Sequence, residues 1–210
     1  MKTIIVLAFI GITGASILHQ TVVRADALTR TTRDLAETEI DLKHATTKAQ
    51  AQAQRVVSDL PTPARATTLP GELQDFQNAT EALIALRAHL RTDLMAYNTA
   101  ATAKLAEFDR EHAAITDEAT QHSMTILRER ATEDINARLT SARATLEQLD
   151  TVLSTGNDLR HAATCVLIAD SLHQHGEDID HHVQQAQHTA QQYTATTNTL
   201  LARINHALAN

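Results

Sequence analysis

ELQDFQNATEALIALRAHLRTDLMAYNTAATAKLAEFDREHAAITDEATQHSMTILRERATEDINARLTSARATLEQLDTVLST runs from Glu72 to Thr155, 84 residues with neither Gly nor Pro. Without those two breakers nothing local interrupts a helix. Leu73, Phe76, Thr80, Leu83, Leu90, Leu94, Tyr97, Ala101, Leu105 and Phe108 recur at steps compatible with one helical face. Ile115, Ala119, His122, Ile126, Ile135, Leu139, Ala142, Leu146, Leu149 and Leu153 continue the stripe. As one rod the segment would be about 126 Å long at 1.5 Å per residue. A compact bundle requires a reversal instead. The apolar content thins over Ile115–Ser123, where Thr116-Asp117-Glu118 resembles a helix cap. The stretch therefore predicts two antiparallel helices.

The flanks extend the pattern. Upstream, residues 28–60 read as an N-terminal helix. Leu28, Leu35, Leu42, Ala49 and Val56 stand seven apart, one half of a heptad seam whose intermediate positions are Thr31, Thr38, Ala45 and Gln52. Residues 61–71 (PTPARATTLPG) hold all three prolines and read as a linker. Downstream, Gly156-Asn157-Asp158 predicts a stop and a restart, with Gly in the C′ position and an Asx cap for the next helix. A last helix then runs from Leu159 to Leu208, with Gly176 a candidate kink. Residues 72–210 thus form a helical bundle domain. The fold class is all-α: long antiparallel helices in an elongated bundle or coiled coil, following an N-terminal signal segment.

Composition supports this and closes off alternatives. The 210 residues include 36 Ala and 30 Thr, 5 Gly, 1 Cys, no Trp and only 2% aromatics. β-Sandwiches and parallel α/β folds draw on aromatic and β-branched strands with Gly-rich turns, both scarce here. A single Cys excludes a disulfide framework and a Cys-based zinc site. The net charge of −7 and the scattered cations argue against nucleic acid as a partner.

Met1-Lys2 followed by TIIVLAFIGITGASIL (Thr3–Leu18) has the plan of an export signal: a short positive start and a 16-residue uncharged apolar run. Ala25-Asp26-Ala27 supplies small residues at a cleavage site. Residues 1–27 are read as a signal peptide or, if uncleaved, as a membrane anchor, the only expected link to a membrane. The location expected is periplasmic or extracellular.

The chemistry-bearing residues are few. Six of twelve histidines fall within 28 residues: His161, His173, His175, His181, His182 and His188. His175, Asp178 and His182 share a helix face by their spacing, which suits zinc or copper, or a pH response. Three ligands on one helix do not close a tetrahedral structural site, so His and Gln filling a solvated face is the simpler reading. Cys165, inside AATCVLIA, reads as a buried small hydrophobe. Glu37/Glu39/Asp41, Glu107/Asp109/Glu111 and Glu129/Glu133/Asp134 read as surface charges. Tyr97 and the Phe residues read as core anchors. No nucleotide, hydrolase or metalloprotease motif is present. No catalytic, cofactor-binding or metal residue is assigned, and no cofactor is expected.

Two stretches, LRERATEDINARLTSARATLEQL (Leu127–Leu149) and LRHAATCVLIADSLHQHGEDIDHHV (Leu159–Val183), resemble an uncharacterised bacterial family of exported helical proteins, catalogued as domain of unknown function 2959. The first is similar to that family's Leu-Arg-rich helix. The second is similar in its leucine–basic–histidine opening and Ser-Leu pair. Ala162 and Thr164 stand where the family's asparagines are expected, and the lipoprotein Cys common among members is missing. The resemblance implies a cell-envelope helical protein and brings no catalytic residues. The expected role is non-enzymatic, acting through helix-mediated interaction with a protein partner or by self-association through the Leu28–Val56 seam. The alternative is a His-rich metal- or pH-responsive module.

Overall fold

The computed structural model describes residues 15–60, 68–171 and 176–209, with side chains from residue 27 onward and, in the last segment, from residue 179. Four helices follow in order: α1 (Ala15–Asp59), α2 (Leu69–Ala114), α3 (Glu118–Ser171) and α4 (Gly176–Ala209). Each packs on its two neighbours around a closed ring, α1 on α2, α2 on α3, α3 on α4 and α4 on α1. α1 and α3 are therefore diagonal partners, as are α2 and α4. The contact is heaviest within the α1–α2 and α3–α4 hairpins and thinner between them. The expected all-α bundle is present, and α1 is its fourth wall rather than a separate arm.

Seven-residue spacing governs all four helices. Leu35, Leu42, Ala49 and Val56 of α1 are fully buried, as are Leu83 and Leu90 in the α2 series from Leu69 to Tyr97. Ala142, Leu149 and Ala163 of α3, and Ala186, Tyr193 and Leu200 of α4, repeat the same step inside the core. A heptad repeat keeps one seam facing its neighbours along a gently supercoiled bundle. The Leu28–Val56 seam is consequently occupied by the chain's own helices. Two ion pairs fix the α2–α3 register: Arg87 with Asp150, and Asp109 with Arg128. Each pair is separated from the other by 22 residues on both helices, so the hairpin runs without a slip.

Threonine enters such a core by satisfying itself. Thr46, Thr145, Thr189 and Thr197 are buried, and each hydroxyl donates to the carbonyl four residues back, Leu42, Ser141, Gln185 and Tyr193, at 2.7, 3.1, 2.9 and 2.9 Å. The hydroxyl thus avoids the cost of an unpaired buried donor.

The reversal expected near Ile115–Ser123 occurs at residues 115–117. Asp117 caps α3: its Oδ2 accepts from the Thr120 amide at 2.8 Å, and its carbonyl accepts from the Gln121 amide at 2.9 Å. Those bonds to Thr120, the hydroxyl's first, hold the Asp117 carboxyl below its ordinary range. Gln121 Nε2 also donates back to the Ile115 carbonyl at 2.6 Å, closing the turn.

The stop expected at Gly156-Asn157-Asp158 does not occur. α3 passes straight through it to Ser171, and α4 begins at Gly176 instead of Leu159. Gly156 is buried because it admits a neighbour. A Cβ placed there would lie 3.1 Å from Tyr193 Cε2 and 3.7 Å from Phe76 Cζ. Phe76 and Tyr193 meet edge to face across the α2–α4 diagonal, centroids 5.3 Å apart and planes at 86°. Glycine thus makes room for the bundle's two most buried rings. The linker boundary also shifts. α2 starts at Leu69 with Pro70 in its first turn, where the missing N–H has no helical partner to lose. Residues 61–67 lie outside the described residues, as does most of the expected signal segment. The predicted cut after Ala27 falls within α1.

The expected stripe fails at one end. Ala119 and His122 are exposed and Ile126 is 37% exposed. α4 ends level with Arg138, through its Ala207 contact, so α3 upstream of that point has lost one neighbour. Of the expected core anchors, Phe76, Tyr97 and Phe108 are buried and Phe9 lies outside the described residues; Tyr193 is buried as well.

Replacing Gly156 tests the close approach. Gly156→Ala is expected to be neutral within about 1 kcal/mol, because the helix-propensity gain offsets a tight methyl contact. Gly156→Val is expected to cost about 1–3 kcal/mol through overpacking. Urea denaturation checks both, and a stabilised valine variant would refute the packing role.

Candidate functional site

Sequence reading placed Glu39 on the surface, and the structure places it at the centre. Its side chain has no exposed area, although Glu37 and Asp41 on either side are exposed as expected. Glu39 sits within one residue of the seam spacing that buries Leu35 and Leu42, and that proximity was the available signal. Across the α1–α3 diagonal, Arg138 Nη2 donates to Glu39 Oε2 at 2.6 Å. Arg138 Nη1 donates to the Ala207 carbonyl in the last turn of α4, also at 2.6 Å. A cation there satisfies a carbonyl that has no helical partner and meets the negative end of the helix dipole. α2 contributes Asp93, whose Oδ2 accepts from Thr38 at 2.6 Å, and buried Tyr97. All four helices therefore meet at one polar level.

The network is incompletely paired. Glu39 Oε1 and Arg138 Nε are buried without a partner. Burial pushes the Glu39 carboxyl above its ordinary value, and Arg138 pulls it back only in part. Burial likewise raises the Tyr97 phenol, with Arg138 opposing and Asp134 reinforcing the shift. The Tyr193 hydroxyl, buried and without a partner, is pushed upward by desolvation. Glu107 is a second departure from the surface reading. It is 7% exposed and takes a bond from Lys104 at 3.1 Å. Asp109 behaves as expected, exposed and held below its ordinary range by the Arg128 guanidinium.

The histidine cluster is only partly described. His181 and His182 bring their rings to 5.9 Å, His182 Nδ1 has no partner, and His188 Nε2 lies 3.1 Å from Gln192. His161 is exposed on α3. The side chains of His173, His175, Glu177 and Asp178 lie outside the described residues, so the His175–Asp178–His182 spacing does too. Among the described residues no group of three or more His, Cys, Asp or Glu is placed to hold a metal ion. Cys165 is exposed, not buried. The apolar run reads as core, but at helical pitch Ala163, Val166 and Ala169 are buried and Ala162 and Leu167 half-buried against the core, leaving Cys165 and the 53%-exposed Ile168 outside.

One concavity accompanies these features, an open groove of about 500 Å³ between α1 and α4. Ala53, Val57 and Ala190 form its floor and walls with Gln191, Thr194 and Asn198, and none of its lining residues is charged. Gln50 Nε2 donates to Asn198 Oδ1 at 2.9 Å nearby, joining the two helices. The groove follows from alanines on both sides of the thin α1–α4 seam.

No family model, curated protein or solved structure matches the chain. Among the described residues no helix is long and apolar enough to cross a membrane.

The Glu39–Arg138 pair yields a signed pH prediction. A carboxyl raised in the folded state is most stabilising below the ordinary glutamate value, and it loses that contribution as pH rises through its folded value. Arg138 offsets this loss. Arg138→Met is expected to cost about 3–5 kcal/mol near neutrality by leaving a buried carboxylate uncompensated. The deficit should shrink as pH falls and Glu39 protonates. Denaturation curves across the pH range check this, and a deficit independent of pH would refute it.

Proposed function

We propose that this protein is a non-enzymatic, exported helical-bundle protein of the cell envelope that acts by helix-mediated protein interaction. The observation that carries the reading is how the helices spend their side chains. Their apolar stripes face one another, their buried threonines bond within their own helices, and the buried Glu39 and half-buried Arg138 engage each other. Reaction chemistry calls for convergent groups around an accessible space. The α1–α4 groove instead offers methyls and amides, donors and acceptors suited to the side of another helix. Export is supported by the signal-like Met1–Ala27 segment, and the resemblance to an exported family points the same way.

Photo-crosslinking residues at Gln54 and Gln191 test the interaction in cells, with the exposed α2 positions Thr92 and Thr99 as controls. The expected result is a discrete adduct at the groove positions only, abolished by Ala53→Arg. Either a dimer-sized or a heterologous adduct meets that expectation. Adducts no stronger than at the α2 controls would overturn it. Cell fractionation with N-terminal sequencing tests location. The expected product lies outside the cytoplasm and begins at Leu28 or Met1, and a cytoplasmic chain would overturn export.

A further inference from the structure

We propose that the Glu39–Arg138 pair is an acid-released latch that holds the last turn of α4 against the bundle. The inference goes beyond the interaction reading and does not depend on it. Arg138 is the joint. One guanidinium nitrogen is spent on Glu39 of α1 and another on the Ala207 carbonyl of α4, both at 2.6 Å. The Ala207 carbonyl lies in the last turn of α4, where no residue four positions on within α4 can donate to it.

The proton has a place to go. Glu39 Oε1 is buried and unpartnered, so proton uptake there breaks no existing hydrogen bond. Once Glu39 is neutral, Arg138, its side chain 16% exposed, is a largely desolvated cation without its counter-charge, a costly arrangement. Asp134 stands one turn earlier on α3, exposed and already within electrostatic reach of the cluster around Tyr97. The guanidinium swings out toward Asp134 and water, the Ala207 carbonyl loses its donor, and the turn containing Ile204 and Ala207 loosens. Burial favours this sequence because it raises the Glu39 carboxyl, which takes a proton at higher pH than a free glutamate does.

The other ionisable groups at this level are accounted for. α2 presents Asp93, engaged by Thr38, and Tyr97, whose phenol stays protonated throughout acidification. α3 presents Arg138 and Asp134. α4 carries Arg203 and His206 nearby, both exposed. His206 is the competing explanation for any change near mild acidity, so the test includes His206→Gln.

Hydrogen exchange read by mass spectrometry on the full chain, corrected for the intrinsic pH dependence of exchange, decides the matter. Between pH 7 and pH 5 the peptide covering residues 200–209 is expected to lose protection by about tenfold, while the 186–197 peptide is unchanged. Glu39→Gln, nearly the shape of the protonated acid, should abolish the pH dependence, and His206→Gln should retain it. Four results would each overturn the latch: equal protection at both pH values, a C-terminal peptide already unprotected at pH 7, loosening spread evenly over α4, or a Glu39→Gln protein that keeps the wild-type pH response. The wild-type profile reads out by itself if the variant fails to fold.

Discussion

The fold depends on close approach between helices. A chain with 2% aromatics and 36 alanines cannot bury much apolar area per residue, so its helices gain adhesion from length and proximity. Ala49, Ala142, Ala163 and Ala186 sit fully buried in the seams, and Gly156 lets Tyr193 and Phe76 pack against its backbone. Dispersion grows with the number of atoms in contact, so thin layers packed without voids substitute for bulky ones. α3 alone, 54 residues, extends about 81 Å along this arrangement.

Close approach leaves polar side chains little slack, and the bundle handles them in two ways. Buried threonines turn their hydroxyls back into their own helices. Glu39 and Arg138 reach across a diagonal and leave one atom each unpaired. The first device keeps polarity local and costs little. The second concentrates it at one level and couples three helices through a single guanidinium, which makes that level sensitive to charge in a way the rest of the core is not.

Much of the architecture was legible from pattern alone. The Leu35–Leu42–Ala49–Val56 series, the reversal beside Asp117 and the aromatic anchors are local or periodic features, and periodicity survives folding. What misled was composition read without partners. Gly156-Asn157-Asp158 has the letters of a helix end, but tertiary packing overrode them because Tyr193 required the missing Cβ. Cys165 sits in an apolar run whose helical pitch turns it outward. Glu39 looks like one of three neighbouring surface carboxylates; its closeness to the Leu35–Leu42 seam hints at burial, but its partner Arg138 lies 99 residues on. Of the candidate site, then, the inward faces of the helices follow from the heptads, whereas the α1–α4 adjacency and the diagonal pair depend on long-range contacts that no local window contains.

The threonine bonds have a consequence for how the helices recognise one another. Because Thr46, Thr145, Thr189 and Thr197 are satisfied within their own helices, sliding α4 by one heptad along α3 would break none of those bonds. Much of the seam would meet again small residue against small residue. Alignment therefore rests on points that do not repeat, among them the Gly156 niche that admits the Tyr193 ring and the arm of the Arg138 fork that reaches the Ala207 carbonyl. The repeats supply grip along the length of the bundle, and these two sites act as the vernier that selects one position among the periodic alternatives.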